Sequence, residues 1–175
     1  ANGGFIQIGE EPTTRGLAGG SAADVSRLIF GGGGGAGHLH GMALSRCGGA
    51  GGGILVVGAD TLAGAGAITA DGESAPRVER DGGGGGGAGG TIELSVVSAA
   101  GFAGEIAADG GRGANVQNQA YDTYYGPGGG GGGGRVTAKG VNATVRAAGG
   151  SEGVNETGGV AWDADAGEPG LVRFP

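Results

Sequence analysis

The chain has 175 residues, of which 51 are Gly, roughly 29 % against a usual ~7 %, with 5 % aromatic and 15 % charged residues. Five Pro and the lack of a strict every-third Gly exclude collagen, and no apolar stretch approaches the ~18 residues of a membrane-spanning helix. Seventeen acids against ten bases give a net charge of −7, and the bases, nine Arg and the single Lys139, are scattered, so nucleic acid is not an expected partner.

In chain order, Phe5-Ile6-Gln7-Ile8 reads as a leading strand. The chain opens at Ala1 with neither Met nor a charged-then-apolar leader, the expectation for a mature protein after signal cleavage, hence secreted, extracellular or at the cell surface. Residues 22–30 are the one weak helical candidate. A Gly run and then His38-Leu39-His40 follow. In extended backbone His38 and His40 point the same way, as two metal ligands would. No third ligand is fixed nearby, and a polar loop with two exposed His is the competing possibility. Cys47 is the only cysteine, so no internal disulfide forms.

The main signal is internal repetition. Gly48-Gly49-Ala50-Gly51-Gly52 aligns with Gly86-Gly87-Ala88-Gly89-Gly90 at an offset of 38 residues. The same offset sets Ile54 on Ile92, Ile68 on Ile106, and Ala70-Asp71-Gly72 on Ala108-Asp109-Gly110. A third copy matches Val136 to Ile92 at 44, and Val145 to Ile106 and Gly149 to Gly110 at 39. Each copy reads as Gly run, short strand, turn, second short strand, Asp/Gly turn and variable loop. Period-two alternation puts Ile92, Leu94 and Val96 on one face of 91–98. It does the same for Phe102, Gly104, Ile106 and Ala108, and for Val141, Ala143, Val145 and Ala147. Ile54-Leu55-Val56-Val57 is apolar throughout, which predicts cover on both faces. Leu171-Val172-Arg173-Phe174 reads as a closing strand.

The Gly runs bounded by Gly31 and Gly35, Gly82 and Gly87, and Gly128 and Gly134 admit two interpretations. One is flexible linker. The other is extended polyglycine II, in which runs of five to seven residues span roughly 16–22 Å and pack side by side through backbone hydrogen bonds and Cα–H···O contacts. Their recurrence at a near-constant period favours stacked layers. The expected fold is therefore all-β: a short-stranded repeat, solenoid- or sandwich-like, with packed polyglycine II and little or no helix. It forms a single domain over 1–175, with a leading strand region to residue 30, repeats over 31–150 and a closing region from 151.

Asp71-Gly72 and Asp109-Gly110 recur at one point of the repeat. They suit either Ca²⁺ between stacked layers or a turn in which Asp bonds its own backbone and Gly supplies positive φ; the turn is favoured because the third copy has Ala148 at that place. The insertion 114–127 reads as a loop. It carries Tyr121, Tyr124 and Tyr125 among Asn and Gln residues, a composition suited to contacting sugars or proteins or to covering a sheet edge. Trp162, beside Asp163 and Asp165, has the same two readings. The Gly runs lack the Gly-Lys-Ser/Thr ending and open no helix, so no nucleotide cofactor is expected. Ser45, Cys47 and the two His carry no nucleophile signature.

The succession of Gly run, strand, Leu-x-Gly-x-Gly-x-Ile-x-Ala-Asp-Gly (62–72) and Gly run-Arg-Val (128–136) resembles the glycine-rich repeats of large secreted bacterial proteins, myxobacterial ones among them. That resemblance implies extracellular or cell-surface placement. The Gly runs are also similar in kind to the polyglycine-helix domains of a phage tail-fibre adhesin and of the extracellular part of the anaplastic lymphoma kinase receptor, a likeness that lends a fold idea only. Two functions follow as expectations. The first is a non-enzymatic structural protein that associates with itself through exposed strand ends. The second is an adhesin or receptor-binding module presenting its Tyr-rich loop to a cell-surface glycan or protein.

Overall fold

A computed structural model describes residues 5–7, 27–38, 47–79, 81–117, 123–157 and 164–175. Eleven strands lie in these residues: β1 (Phe5–Gln7), β2 (Ile54–Gly64), β3 (Ala67–Thr69), β4 (Val78–Glu79), β5 (Thr91–Phe102), β6 (Glu105–Ala107), β7 (Val116–Gln117), β8 (Thr123–Tyr125), β9 (Arg135–Lys139), β10 (Thr144–Arg146) and β11 (Leu171–Arg173). No helix occurs among the described residues, so the fold is all-β and residues 27–30 of the weak helical candidate are not helical.

A four-stranded parallel sheet has the order β11-β9-β5-β2, and a three-stranded parallel sheet the order β10-β6-β3. β4 and β7 pair in parallel, continued by a bridge from Val116 to Asn155; β1 and β8 pair antiparallel. Inward side chains of the two larger sheets share one core. At its centre Ile92, Ile106 and Val136 are fully buried, and Leu55, Val57, Ile68, Val145 and Val172 pack against it from the flanking strands. Alternation correctly placed Ile92, Leu94 and Val96 inside, because a strand with one covered face must bury every second residue.

Register partly departs from the repeat alignment. Ile68 pairs with Ile106, Ile92 with Val136, and Ile106 with Val145, as aligned. Ile54, however, pairs with Thr91, and Leu55 with Ile92. A slip of one residue would turn Leu55 away from the core, so burial overrides sequence identity. An irregularity restores the offset of 38: Thr61 lies opposite Ser98 but Ala63 opposite Gly101, an extra residue on β5. The two-sided cover expected for 54–57 is also absent, since Val56 points outward and is 62 % exposed.

Beside the sheets the glycine segments pack in extended form, with hydrogen bonds repeating every third residue as in polyglycine II. In 82–90 the N–H groups of Gly83, Gly86 and Gly89 donate to the carbonyls of Gly126, Gly129 and Gly132. Those of Gly85 and Ala88 donate to Gly35 and Gly32, and those of Gly87 and Gly90 to Glu73 and Ala70. One run thus uses its three phases to grip three different neighbours. The segments that return from the second strand of each copy behave likewise: Gly72, Ala75 and Val78 donate to Asp109, Arg112 and Asn115, and Gly110, Gly113 and Val116 to Ala148, Ser151 and Val154. A Cβ at Gly31, Gly87, Gly128 or Gly134 would fall under 3.0 Å from a neighbouring backbone atom, which is why side-chain-free residues fill these runs.

Candidate functional site

The residues singled out for chemistry separate into distinct places. His38 stacks on Tyr125, ring centroids 5.9 Å apart at 21°, and its Nδ1 lies 3.7 Å from Oδ1 of the buried Asp81. Tyr125 is itself buried, in a small cluster with Val78 and Val116. It covers a strand pair rather than offering a contact surface, which corrects its assignment as a binding residue. Insertion 114–127 is correspondingly not all loop: Ala114 and Val116 are fully buried, and β7 and β8 lie within it. Tyr124 is placed by its backbone register with Ile6. His40, Tyr121 and Trp162 lie outside the described residues. Among the described residues no group of three or more His, Cys, Asp or Glu could hold a metal ion.

Asp71 and Asp109 do not stand in turns. Positive φ among described glycines is confined to Gly64, Gly66 and Gly140, so Gly72 and Gly110 do not supply it. Gly72 and Gly110 are required instead because a Cβ would strike the carbonyls of Gly87 and Gly131. Asp71 Oδ1 accepts the N–H of Asp109 at 2.7 Å, and Asp109 Oδ1 accepts the N–H of Ala148 at 2.8 Å. Ser74 Oγ accepts from Arg112 N–H and Asn115 Oδ1 from Val154 N–H in the same way. Each side-chain oxygen therefore ties its copy to the next. This ladder escaped the sequence because its polar residues (Asp71, Ser74, Arg77; Asp109, Arg112, Asn115) recur every third position, a period belonging to neither helix nor strand.

Guanidinium groups brace the same face. Arg77 Nε donates to Glu156 Oε2 at 2.6 Å and Nη1 to Glu79 Oε1 at 3.2 Å, while Nη2 reaches Gln117 Oε1. Asn115 Nδ2 donates to Glu156 Oε1 at 2.8 Å. These bonds, Asn115 first and Arg77 second, hold the Glu156 carboxyl below its ordinary value, and Glu156 in turn raises Arg77. Arg146 is raised chiefly by Asp109, 2.6 Å away, then by Glu105.

On the outer face of the large sheet Glu93 Oε1 accepts from Arg135 and from Thr137 Oγ1, and Arg135 Nη1 donates to the Arg27 carbonyl. A shallow groove of about 320 Å³ opens beside them, lined by Val56, Ser95, Lys139 and Pro175 among others.

The most unequal feature is the sheet's own edges. Inward residues of β5 are sealed: Ile92, Leu94 and Val96 are 0, 2 and 6 % exposed. Their counterparts Leu55, Val57 and Ala59 on β2 are only half-buried, and so is Val172 on β11, although Val136 beside it is sealed. Among the described residues β2 pairs with β5 alone. No helix there is long and apolar enough to cross a membrane. Compared with protein-family models, curated proteins and solved structures, the chain has no significant match.

Proposed function

We propose that this chain is a non-enzymatic structural module, placed outside the cell, that associates with copies of itself. The half-buried apolar residues on the terminal strands of the large sheet, against sealed equivalents one strand inward, carry this conclusion. Exposed edges of this kind template pairing with another chain. Many of the polar side chains are engaged within the fold: Asp71, Asp109, Glu93 and Glu156 bond backbone or Arg. The extracellular setting is the one implied by the secreted glycine-rich repeats that the sequence resembles.

Sedimentation velocity across a concentration series, beside negative-stain microscopy, tests it. Species larger than the 16.3 kDa chain are expected at neutral pH; a monomer at every concentration would overturn it. The second function, a binding module, rests on the Tyr-rich composition of the 114–127 insertion, with Tyr124 as the residue to test. Capture of a cell-surface glycan or protein by the wild type, lost in Tyr124→Ala without change in self-association, would favour it.

A further inference from the structure

We propose that β2 is a self-pairing edge: two copies join antiparallel through it, about a two-fold axis at Val57, and close a dimer in which two four-stranded sheets become one. This rests on the self-association proposed above and specifies its geometry and its end point.

The two edges of the large sheet are not equivalent. β2 offers eleven residues, β11 three. Downstream of β11 stand exposed Phe174 and Pro175, and proline has no N–H to give a ladder. Head-to-tail growth would need β11 to match β2, and it can engage only a fraction of it. β2 also lacks the features that blunt edges: within Ile54–Gly64 the one charged residue is Asp60, with no Lys, Arg or Pro. A long apolar edge with no second partner among the described residues can be covered by another β2, which pairs over Ile54–Asp60 in the register below.

The pattern along β2 fits itself in one register. Centring the axis on Val57 sets Leu55 opposite Ala59 of the partner subunit, Val56 opposite Gly58 of the partner subunit, and Ile54 opposite Asp60 of the partner subunit. Residues two apart share a face, so Leu55, Val57 and Ala59 stay on the core side of both copies and cover one another. Outside, the exposed Val56 meets a position with no side chain. No like charges face each other. Centring on Ala59 instead would carry the pairing across the irregularity at Thr61 and Ala63, where the alternation breaks. An isologous contact of this kind closes at two copies and does not propagate.

The test is sedimentation velocity of the full chain together with Ile54→Asp and Ile54→Asp/Asp60→Lys, each checked for unchanged melting. Ile54 is half-buried and outside the apolar core cluster, so unchanged melting is the control that separates a lost contact from a damaged monomer. In this register Ile54→Asp opposes two carboxylates twice per dimer, and the second change turns both contacts into opposite-charge pairs. A dimer weakened at least tenfold by the first and recovered by the second is the expected result. Independently, Cys47→Ser/Val56→Cys/Gly58→Cys is expected to oxidise to a covalent dimer, because opposite residues in an antiparallel pair approach to disulfide distance. Filaments, or a dimer indifferent to all three variants, would overturn the two-fold at β2 while leaving self-association standing. A monomer throughout would overturn both.

Discussion

The glycine segments and the sheets belong to the same passes of the chain, yet they hold their neighbours by opposite means. In the sheets, side chains do the work: Ile92, Ile106 and Val136 interlock in a sealed core, and burial sets the register. In the glycine bundle the absence of side chains does it, since backbones approach closely enough to bond three neighbours at once. A sheet position asks for a particular volume, and a bundle position for none. The two regions should therefore fail differently when mutated.

The largest difference is expected from Gly131→Val. A Cβ there would collide with backbone of Gly86 and Gly87, atoms that cannot swing away. The loss should be on the order of 4 kcal/mol, a fall in Tm of roughly 8–16 °C for a domain of this size. Gly32→Val is the matched control, because a Cβ at Gly32 meets nothing within 4 Å; its effect should stay within about 0.5 kcal/mol. Equal melting of the two variants would mean that the bundle does not pack as described.

In the sheets the contrast lies between middle and edge. Ile106, fully buried between β3 and β10, should lose about 2–5 kcal/mol on change to Ala through transfer and cavity costs. Ile68, its half-buried partner on β3, should lose roughly half as much, as less apolar area leaves water. Chemical denaturation of both variants at low protein concentration measures the ratio. Equal losses would show that β3 is as covered in solution as β6, and so that another chain lies on it.

How far these contrasts were legible follows from the same physics. Alternation around Ile92 and the recurring Gly runs announced an all-β fold with extended glycine layers, since both signals are written in residue type. Register in the glycine stretches was not written there. The pentads at 48–52 and 86–90 align at 38, yet Gly49 and Gly52 donate to Gly85 and Ala88, because glycines have no side chains to distinguish one position from the next. The role of Asp71 and Asp109 was missed for a different reason. Asp-Gly is a strong local turn signal, and only the stacking of successive copies reveals that each carboxylate reaches the next one. That β2 pairs on one side alone among the described residues was hidden because an uninterrupted apolar run such as 54–57 looks the same whether it is central or terminal.

The smallest effect separates the two regions by pH. The backbone hydrogen bonds of the glycine bundle have no side-chain proton to gain between pH 7 and 3, whereas the ladder face depends on Glu156 being ionised. Its carboxyl sits below the ordinary 4.5 in the folded chain because Asn115 and Arg77 bond the charged form. A folded value below the unfolded one contributes stability that is complete above 4.5 and is lost as pH falls through the folded value. Arg77 and Arg146 are raised above the ordinary guanidinium value, so both stay charged throughout the neutral and acid range and play no part in the acid response. Glu156→Gln keeps the shape and removes the charge. Its Tm should lie slightly below that of the wild type at pH 7, and the gap should narrow as the pH falls below 4.5. A gap that does not narrow at any acid pH would assign Glu156 a role in packing rather than in charge.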